Sequence, residues 1–312
     1  MARYVLKRIV VAVLTLLLIM CVTFLLMNAI PGSPFLTEKS TPDMIAKANA
    51  KYGLDKPLYV QLFNYVKNYL HGDLGTSLKM QEGTAVTKIL FGQGKFELSI
   101  KLGVIALLVA VVLGIPLGCI AAYNRGKWVD GLLRVFTTVG VAIPTFVLAA
   151  LLLVFIAGPF KLPTKSNSLP DFKSYVMPII SLSAYYMCYV AKLTRTSMLD
   201  AINQDYIRTA RAKGVKTRAL VLKHALRNSL IPVITYLGPV MAGIITGSFV
   251  VESTFSIPGL GRYYVQSVLN RDYPIIMATT VVLSALVIIM NLVVDIAYKI
   301  VDPRITLSAK EE

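Results

Sequence analysis

The chain has 312 residues, 56% of them hydrophobic and only 15% charged, with a formal net charge of +16. A soluble domain of this length needs a far more polar surface, so the composition excludes a water-soluble globular fold and makes the bilayer the natural solvent. Apolar runs are therefore judged against the roughly 20 residues that a helix needs to cross a membrane.

Six runs qualify, at residues 9–30, 102–123, 132–157, 175–191, 230–251 and 275–298. A charge at mid-helix costs about 2.5–3.5 kcal/mol on insertion scales. Ionisable residues are accordingly scarce inside the runs: Arg134 and Asp295 lie near ends, and the fourth run, short and carrying Pro178, stops at Lys192. Asp295 stands four residues before Lys299 and reads as a structural ion pair. Arg3, Lys7 and Arg8 precede the first run as in a signal peptide. Its apolar stretch from Ile9 to Met27 nevertheless exceeds a usual signal core of about 7–15 residues, so it reads as a retained helix.

Lys and Arg in short loops set orientation. Arg3, Lys7 and Arg8 precede the first span, Arg125 and Lys127 follow the second, and nine basic residues lie between Lys192 and Arg227. The alternate loops are poorer, with Lys161, Lys165 and Lys173 in one and Arg262 and Arg271 in the other. Both termini are expected in the cytoplasm, and the asymmetry absorbs most of the positive charge, leaving no case for nucleic acid. The expected division is a first helix over 1–30, an extracytoplasmic insert over 31–96, a five-helix core over 97–301 containing a cytoplasmic loop at 194–228, and a tail over 302–312.

The insert opens with a turn at Pro31, Gly32 and Pro34. Thr41 to Gly53 predicts a short helix with Thr41 as N-cap and Pro42 at its first position. Lys56 to Gly72 predicts an amphipathic helix with Leu58, Leu62, Tyr65, Val66 and Tyr69 on one side, suited to the outer interface. Pro258, Gly259 and Gly261 force another turn, after which "YYVQSVL" predicts a half-buried, re-entrant helix. Such backbone is tolerated at membrane depth only where protein or water satisfies it.

Enzyme chemistry is missing. No phosphate loop exists, since "FGQGKF" (Phe91–Phe96) has the wrong spacing and lies on the wrong side. No carboxylate stands mid-membrane as a proton relay. His71 and His224 lie in loops, and Cys21, Cys119 and Cys188 give neither a disulfide framework nor metal-ligand spacing. No catalytic residue, metal or bound cofactor is expected.

The stretch "DYIRTARAKGVKTRALVLKHALRN" (Asp205–Asn228) is basic and helix-patterned between two spans. Asn203 or Asp205 can cap a helix, and Asp205 suits its positive end. Ile207, Ala210 and Arg211 share a face, Lys213 falls in the last turn, and Gly214 can take the left-handed terminating conformation. A second helix is expected from Thr217 toward Pro232. A helix of two and a half turns is too short to stand alone and must pack on something. Its basic residues can serve topology, bind anionic lipid or dock a cytoplasmic protein, and Ala210, Ala212 and Gly214 allow close backbone approach by a partner.

The loop resembles the cytoplasmic "EAA" loop of binding-protein-dependent ATP-binding-cassette importers, Glu-Ala-Ala, three residues, then Gly. Those places read Arg208, Thr209, Ala210 and Gly214 here, and the Pro of the wider pattern falls at Arg227. Longer stretches are similar to B-type permease subunits of the oligopeptide/dipeptide branch: "YGLDKPLYVQLFNYVKNYLHGDLGTSL" (Tyr52–Leu78), "GIPLGCIAAYNRGKWVDGLLR" (Gly114–Arg134), "VESTFSIPGLGRYYVQSVLNRDYPII" (Val251–Ile276) and "NLVVDIAYKIVDPRI" (Asn291–Ile305). The resemblance covers nearly the whole chain. It implies an all-α polytopic membrane protein with six transmembrane helices in the type I importer permease fold, in a prokaryotic cytoplasmic membrane. It also implies a homologous second permease, two ATPases that bind ATP and magnesium, and an extracytoplasmic peptide-binding protein.

By that resemblance Asp205, Tyr206, Ile207, Arg208, Thr209, Ala210, Arg211, Ala212, Lys213, Gly214, Val215 and Lys216 couple the chain to the ATPases, with Gly214 as hinge. Thr246, Ser248 and Glu252 are candidates for the translocation path, with Glu252 at its outer rim; small polar residues also pack helices together. The alternatives are a permease for nickel or another small solute, a stand-alone proton-coupled or passive carrier, and a membrane scaffold.

Overall fold

The computed structural model describes residues 2–30, 43, 46–47, 49–50, 53–92, 94–160, 173–216, 219–220 and 225–301, with the side chains of 2–5, 238–239, 242, 245–248 and 294–301 outside that set. The helix expected over Thr41–Gly53, the helix start at Thr217 and the side chains of Asp295 and Lys299 lie wholly or mainly outside it. Among the described residues the protein is helical, with one isolated antiparallel bridge between Thr76 and Ala85.

In chain order the helices are α1 (Ala2–Ala29), α2 (Leu58–Leu70), α3 (Val86–Phe91), α4 (Lys95–Tyr123), α5 (Trp128–Ala142), α6 (Thr145–Leu152, widening into a π turn at Leu153–Ala157), α7 (Lys173–Ile202), α8 (Asp205–Ala212), α9 (Leu226–Thr254), α10 (Leu260–Asn270) and α11 (Tyr273–Val301). Four spans are long and apolar enough to cross a membrane among the described residues, or five if the bent pair α5 and α6 counts as one.

Two expectations change. The third apolar run is no single helix: α5 and α6 meet at a bend of 100°. Pro144 lacks an N–H and disfavours helical backbone at the residue before it, and Ile143 is indeed extended at φ −79°, ψ 119°. The fourth run, read as ending at Lys192, is part of a 30-residue helix that reaches Ile202. Beyond the apolar stretch α7 becomes amphipathic, with Lys192, Thr196 and Asp200 exposed and Ala191, Thr194, Met198 and Ala201 buried. Hydropathy ends there, but helical periodicity does not.

The chain divides into two compact units, Met1–Leu98 with Pro258–Ile289, and Ser99–Ile257 with Met290–Glu312. In the first, Met20, Phe24 and Met27 form a stripe on α1 that packs with Leu78, Tyr273, Ile276 and Met277. Leu62, Tyr65, Val66 and Tyr69 of α2 close over it, with the Phe24 and Tyr65 rings 5.9 Å apart. Leu58, expected on this face, is 49% exposed. Asp272 ties the insert down: it accepts hydrogen bonds from Ser77 Oγ at 2.6 Å and from the backbone N–H groups of Leu78, Lys79 and Met80 at 3.1, 3.0 and 2.9 Å.

In the second unit α7 is central and packs against α5, α6 and α9. Close approach to α4 requires a glycine. A Cβ added at Gly118 would stand 2.5 Å from the Ala191 carbonyl oxygen and 2.6 Å from Thr194 Cβ. Small residues at such crossings let membrane helices gain van der Waals contact where lipid offers no hydrophobic drive.

Candidate coupling site

Helix α8 hangs from the end of α7. Gln204, not Asn203 or Asp205, holds the N-cap position, extended at φ −76°, ψ 152° and without a side-chain cap hydrogen bond. The longer α7 explains the shift. Asn203 belongs to the turn that closes α7, its N–H bonded to the Asp200 carbonyl at 3.3 Å, and Asp205 is already helical. Asp205 stands 3.4 Å from Arg208 on the exposed side, and Thr209 Oγ1 donates to the Asp205 carbonyl at 3.0 Å.

The far end closes at Gly214, φ +78°. Gly214 N–H bonds the Arg211 carbonyl at 3.0 Å and Val215 N–H bonds the Ala210 carbonyl at 3.2 Å. This paired closure satisfies the last carbonyls and needs the left-handed conformation that glycine adopts without steric cost.

One side of α8 is fixed. Ile207 is 1% exposed and packs with Ala201, Leu220 and Ala225, flanked by Ile202, Ala210 and Val215. The helix is thus bolted to the end of α7 and the start of α9. The other side is free of that packing: Asp205, Tyr206, Arg208, Thr209, Arg211, Ala212, Lys213, Gly214 and Lys216 are exposed. Of the small residues read as permitting close approach, Ala212 and Gly214 face out, whereas Ala210 packs inward.

A buried ion pair stands further along α7. Arg195 Nε and Nη2 donate to the two carboxylate oxygens of Asp130 at 2.7 and 2.9 Å, Gly126 N–H donates to the same carboxylate at 3.1 Å, and Arg134 lies 3.7 Å away. Asp130 is 1% exposed. Charge-assisted, bidentate geometry of this kind fixes helices in register as well as in proximity. Sequence reasoning missed the pair, because Asp130 and Arg195 are 65 positions apart.

Thr246 and Ser248 lie on α9 with their side chains outside the described set, and Glu252 is completely buried in its last turn. A second feature absent from the sequence reading is a tyrosine stack. Tyr189 of α7 and Tyr236 of α9 lie 4.2 Å apart and near-parallel, continued by Tyr185 and Tyr186. Three tyrosines within five residues of an aliphatic run were the available signal.

The family described as binding-protein-dependent transport system inner membrane component matches residues 114–307, and its N-terminal companion matches residues 1–83. The dipeptide transport system permease protein DppB of Bacillus subtilis is 44% identical over 99% of this chain and 100% of its own. The oligopeptide transport system permease protein OppB of Haemophilus influenzae is 41% identical over 98% and 99%, and that of Escherichia coli K12 is 38% identical over the same shares. A crystal structure of an amino acid ABC transporter with histidines superposes with a TM-score of 0.52, covering 68% of this chain and 92% of that one at 17% identity, a likeness of fold alone. With a helical membrane fold and matches along nearly its full length, this chain belongs to the family of inner membrane components of binding-protein-dependent transport systems.

Proposed function

We propose that this chain is a permease subunit of an ATP-driven importer that carries di- and oligopeptides into the cytoplasm. The observation that carries the reading is identity of 38–44% over nearly the whole length to dipeptide and oligopeptide permeases. The protein is a multi-pass component of a bacterial inner membrane. A homologous second permease completes the path, two ATPases bind ATP with magnesium, and an extracytoplasmic binding protein delivers peptide. Six spans with both termini in the cytoplasm complete the proposed topology.

In this reading the exposed side of α8 docks on an ATPase. ATP-driven closure displaces α8, and Ile207, seated against Ala201 and Ala225, passes the displacement to α7 and α9. Rigid-body motion of packed helices is an established form of such switching. The residues Asp205 to Lys216 supply contact and hinge, and hydrolysis belongs to the partner chains.

Gentle affinity purification from the native membrane, with mass spectrometry of the co-purifying chains, tests the assembly. A homologous permease with ATPases supports the reading. The chain arriving alone, from a preparation in which a known importer stays intact, opposes it and favours a single-chain carrier.

A further inference from the structure

The cations around Asp130 exceed what one carboxylate can neutralise. A cavity of about 120 Å³ opens beside the pair, and Arg134, Lys192 and Arg195 all line it. Asp130 balances one of those three charges. Arg195 carries five N–H donors, of which Asp130 takes one at Nε and one at Nη2. The Nη1 donors have no partner among the described residues, and 20% of the side chain stays exposed. A guanidinium held rigid by one anion thus keeps accessible donors for a second. Arg134 reaches Asp130 only at 3.7 Å, with 59% of its side chain exposed. Lys192 is exposed and has no ion pair among the described residues. These walls suit an anion.

The same walls continue into an apolar trough. A second cavity, of about 260 Å³, shares Lys192 and Thr196 and is otherwise lined by Val141, Tyr189 and Leu193. Arg134, Thr138 and Val141 fall at i, i+4 and i+7 on α5, and Tyr189, Lys192 and Thr196 at i, i+3 and i+7 on α7. Each set forms one stripe along its helix. The two helices run antiparallel, with Arg195 on Asp130 at one end and Gly140 against Cys188 further in. Val141 therefore lies about 10 Å beyond Arg134 along α5, deeper in the apolar run, while the cations sit at the end of the spans where basic residues gather. Charge at the rim and apolar wall at depth match an amphiphile, whereas a free anion would use only the rim. A zwitterionic headgroup would bring its own ammonium against two unbalanced cations.

We propose that the groove between α5 and α7 binds an anionic phospholipid such as phosphatidylglycerol. Its phosphate lies against Arg134, Lys192 and Arg195, and an acyl chain follows Val141, Tyr189 and Leu193. The inference needs only the membrane location of the chain and is independent of what it transports.

The test uses the full chain with its co-purified partners in nanodiscs containing phosphatidylglycerol that bears a diazirine on its acyl chain. Adducts formed in light are mapped by mass spectrometry. Those at Val141, Tyr189 and Leu193 are expected to exceed the adducts from the matching phosphatidylcholine. The exposed apolar face of α1 at Leu18 and Leu25 should take both lipids alike. Lys192→Gln is expected to cut groove adducts of phosphatidylglycerol about fivefold, the loss of about 1 kcal/mol that one basic residue contributes near an anionic headgroup. Lys192→Arg should retain them, and since Lys192 is exposed neither change disturbs the core. Equal groove labelling by the two lipids, or labelling indifferent to Lys192→Gln, would overturn the proposal. So would loss of groove adducts on adding inorganic phosphate, which would assign the site to a free anion, or on adding penta-alanine, which would assign it to the peptide path.

Discussion

Arg195 grips Asp130 with two parallel hydrogen bonds, 2.7 and 2.9 Å long, and so joins α7 to the first turn of α5. Removing one partner of a buried pair leaves an uncompensated charge, at a cost of about 3–5 kcal/mol. Arg195→Ala is expected to lower the thermal midpoint of the purified chain sharply. Arg195→Lys should rescue little, since an ammonium cannot reproduce the bidentate fork. The double variant Asp130→Asn with Arg195→Gln should recover much of the loss. A double-mutant cycle read by thermal unfolding checks this, and additive losses would show that the pair is uncoupled.

Ile207 and Arg208 are neighbours with opposite duties. Ile207→Ala empties a packed site and should cost about 2–5 kcal/mol, seen as faster hydrogen exchange across Asp205–Ala212. Arg208 is 77% exposed in its side chain, and its contact with Asp205 is a surface pair of little worth. Arg208→Glu should therefore leave exchange in α8 unchanged while reducing peptide-stimulated ATP hydrolysis. Faster exchange in that variant would show that Arg208 holds the helix itself.

Gly214 makes a sharper case. Nothing lies within 4 Å of an added Cβ, so substitution there acts through the backbone alone at φ +78°. Gly214→Ala is expected to cost about 1–2 kcal/mol and to slow uptake. Gly214→Pro, which cannot adopt that φ, should abolish uptake while membrane insertion continues, as should Ala210→Arg beside the packed Ile207. Normal uptake in both would remove coupling from this segment.

Asp272 offers a test in the first unit. Asp272→Ala strips the acceptor from Ser77 and from three backbone N–H groups, and each buried donor left unpaired costs about 1–3 kcal/mol. Limited proteolysis should then cut within Asp73–Gly83 much sooner than in the parent chain. Unchanged cleavage would mean that other contacts hold the segment.

What the sequence revealed was what local chemistry encodes. The helix ending at Gly214 and the aromatic face of α2 follow from neighbours within a few positions and appear in the structure, as do four of the apolar runs of membrane length, or five with the bent pair, among the described residues. The bend at Pro144 was written in one residue and passed over because hydropathy averages across it. The extension of α7 past Lys192 was hidden for the converse reason: its polar face lowers hydropathy while its buried face keeps helical spacing. Asp130 with Arg195 and Asp272 with Ser77 depend on tertiary contact, and composition and spacing alone do not specify them. The proposed coupling role of Asp205–Lys216 rests on resemblance, while the packing of Ile207 against Ala201, Leu220 and Ala225 is a tertiary contact.

The most direct measurement is peptide accumulation in vesicles reconstituted with this chain and its co-purified partners, with binding protein and labelled peptide outside and ATP inside. Accumulation that requires ATP, the binding protein and an intact Gly214 is the predicted result. Equal accumulation by this chain alone, without ATPases or ATP, would contradict the account and identify a self-sufficient carrier.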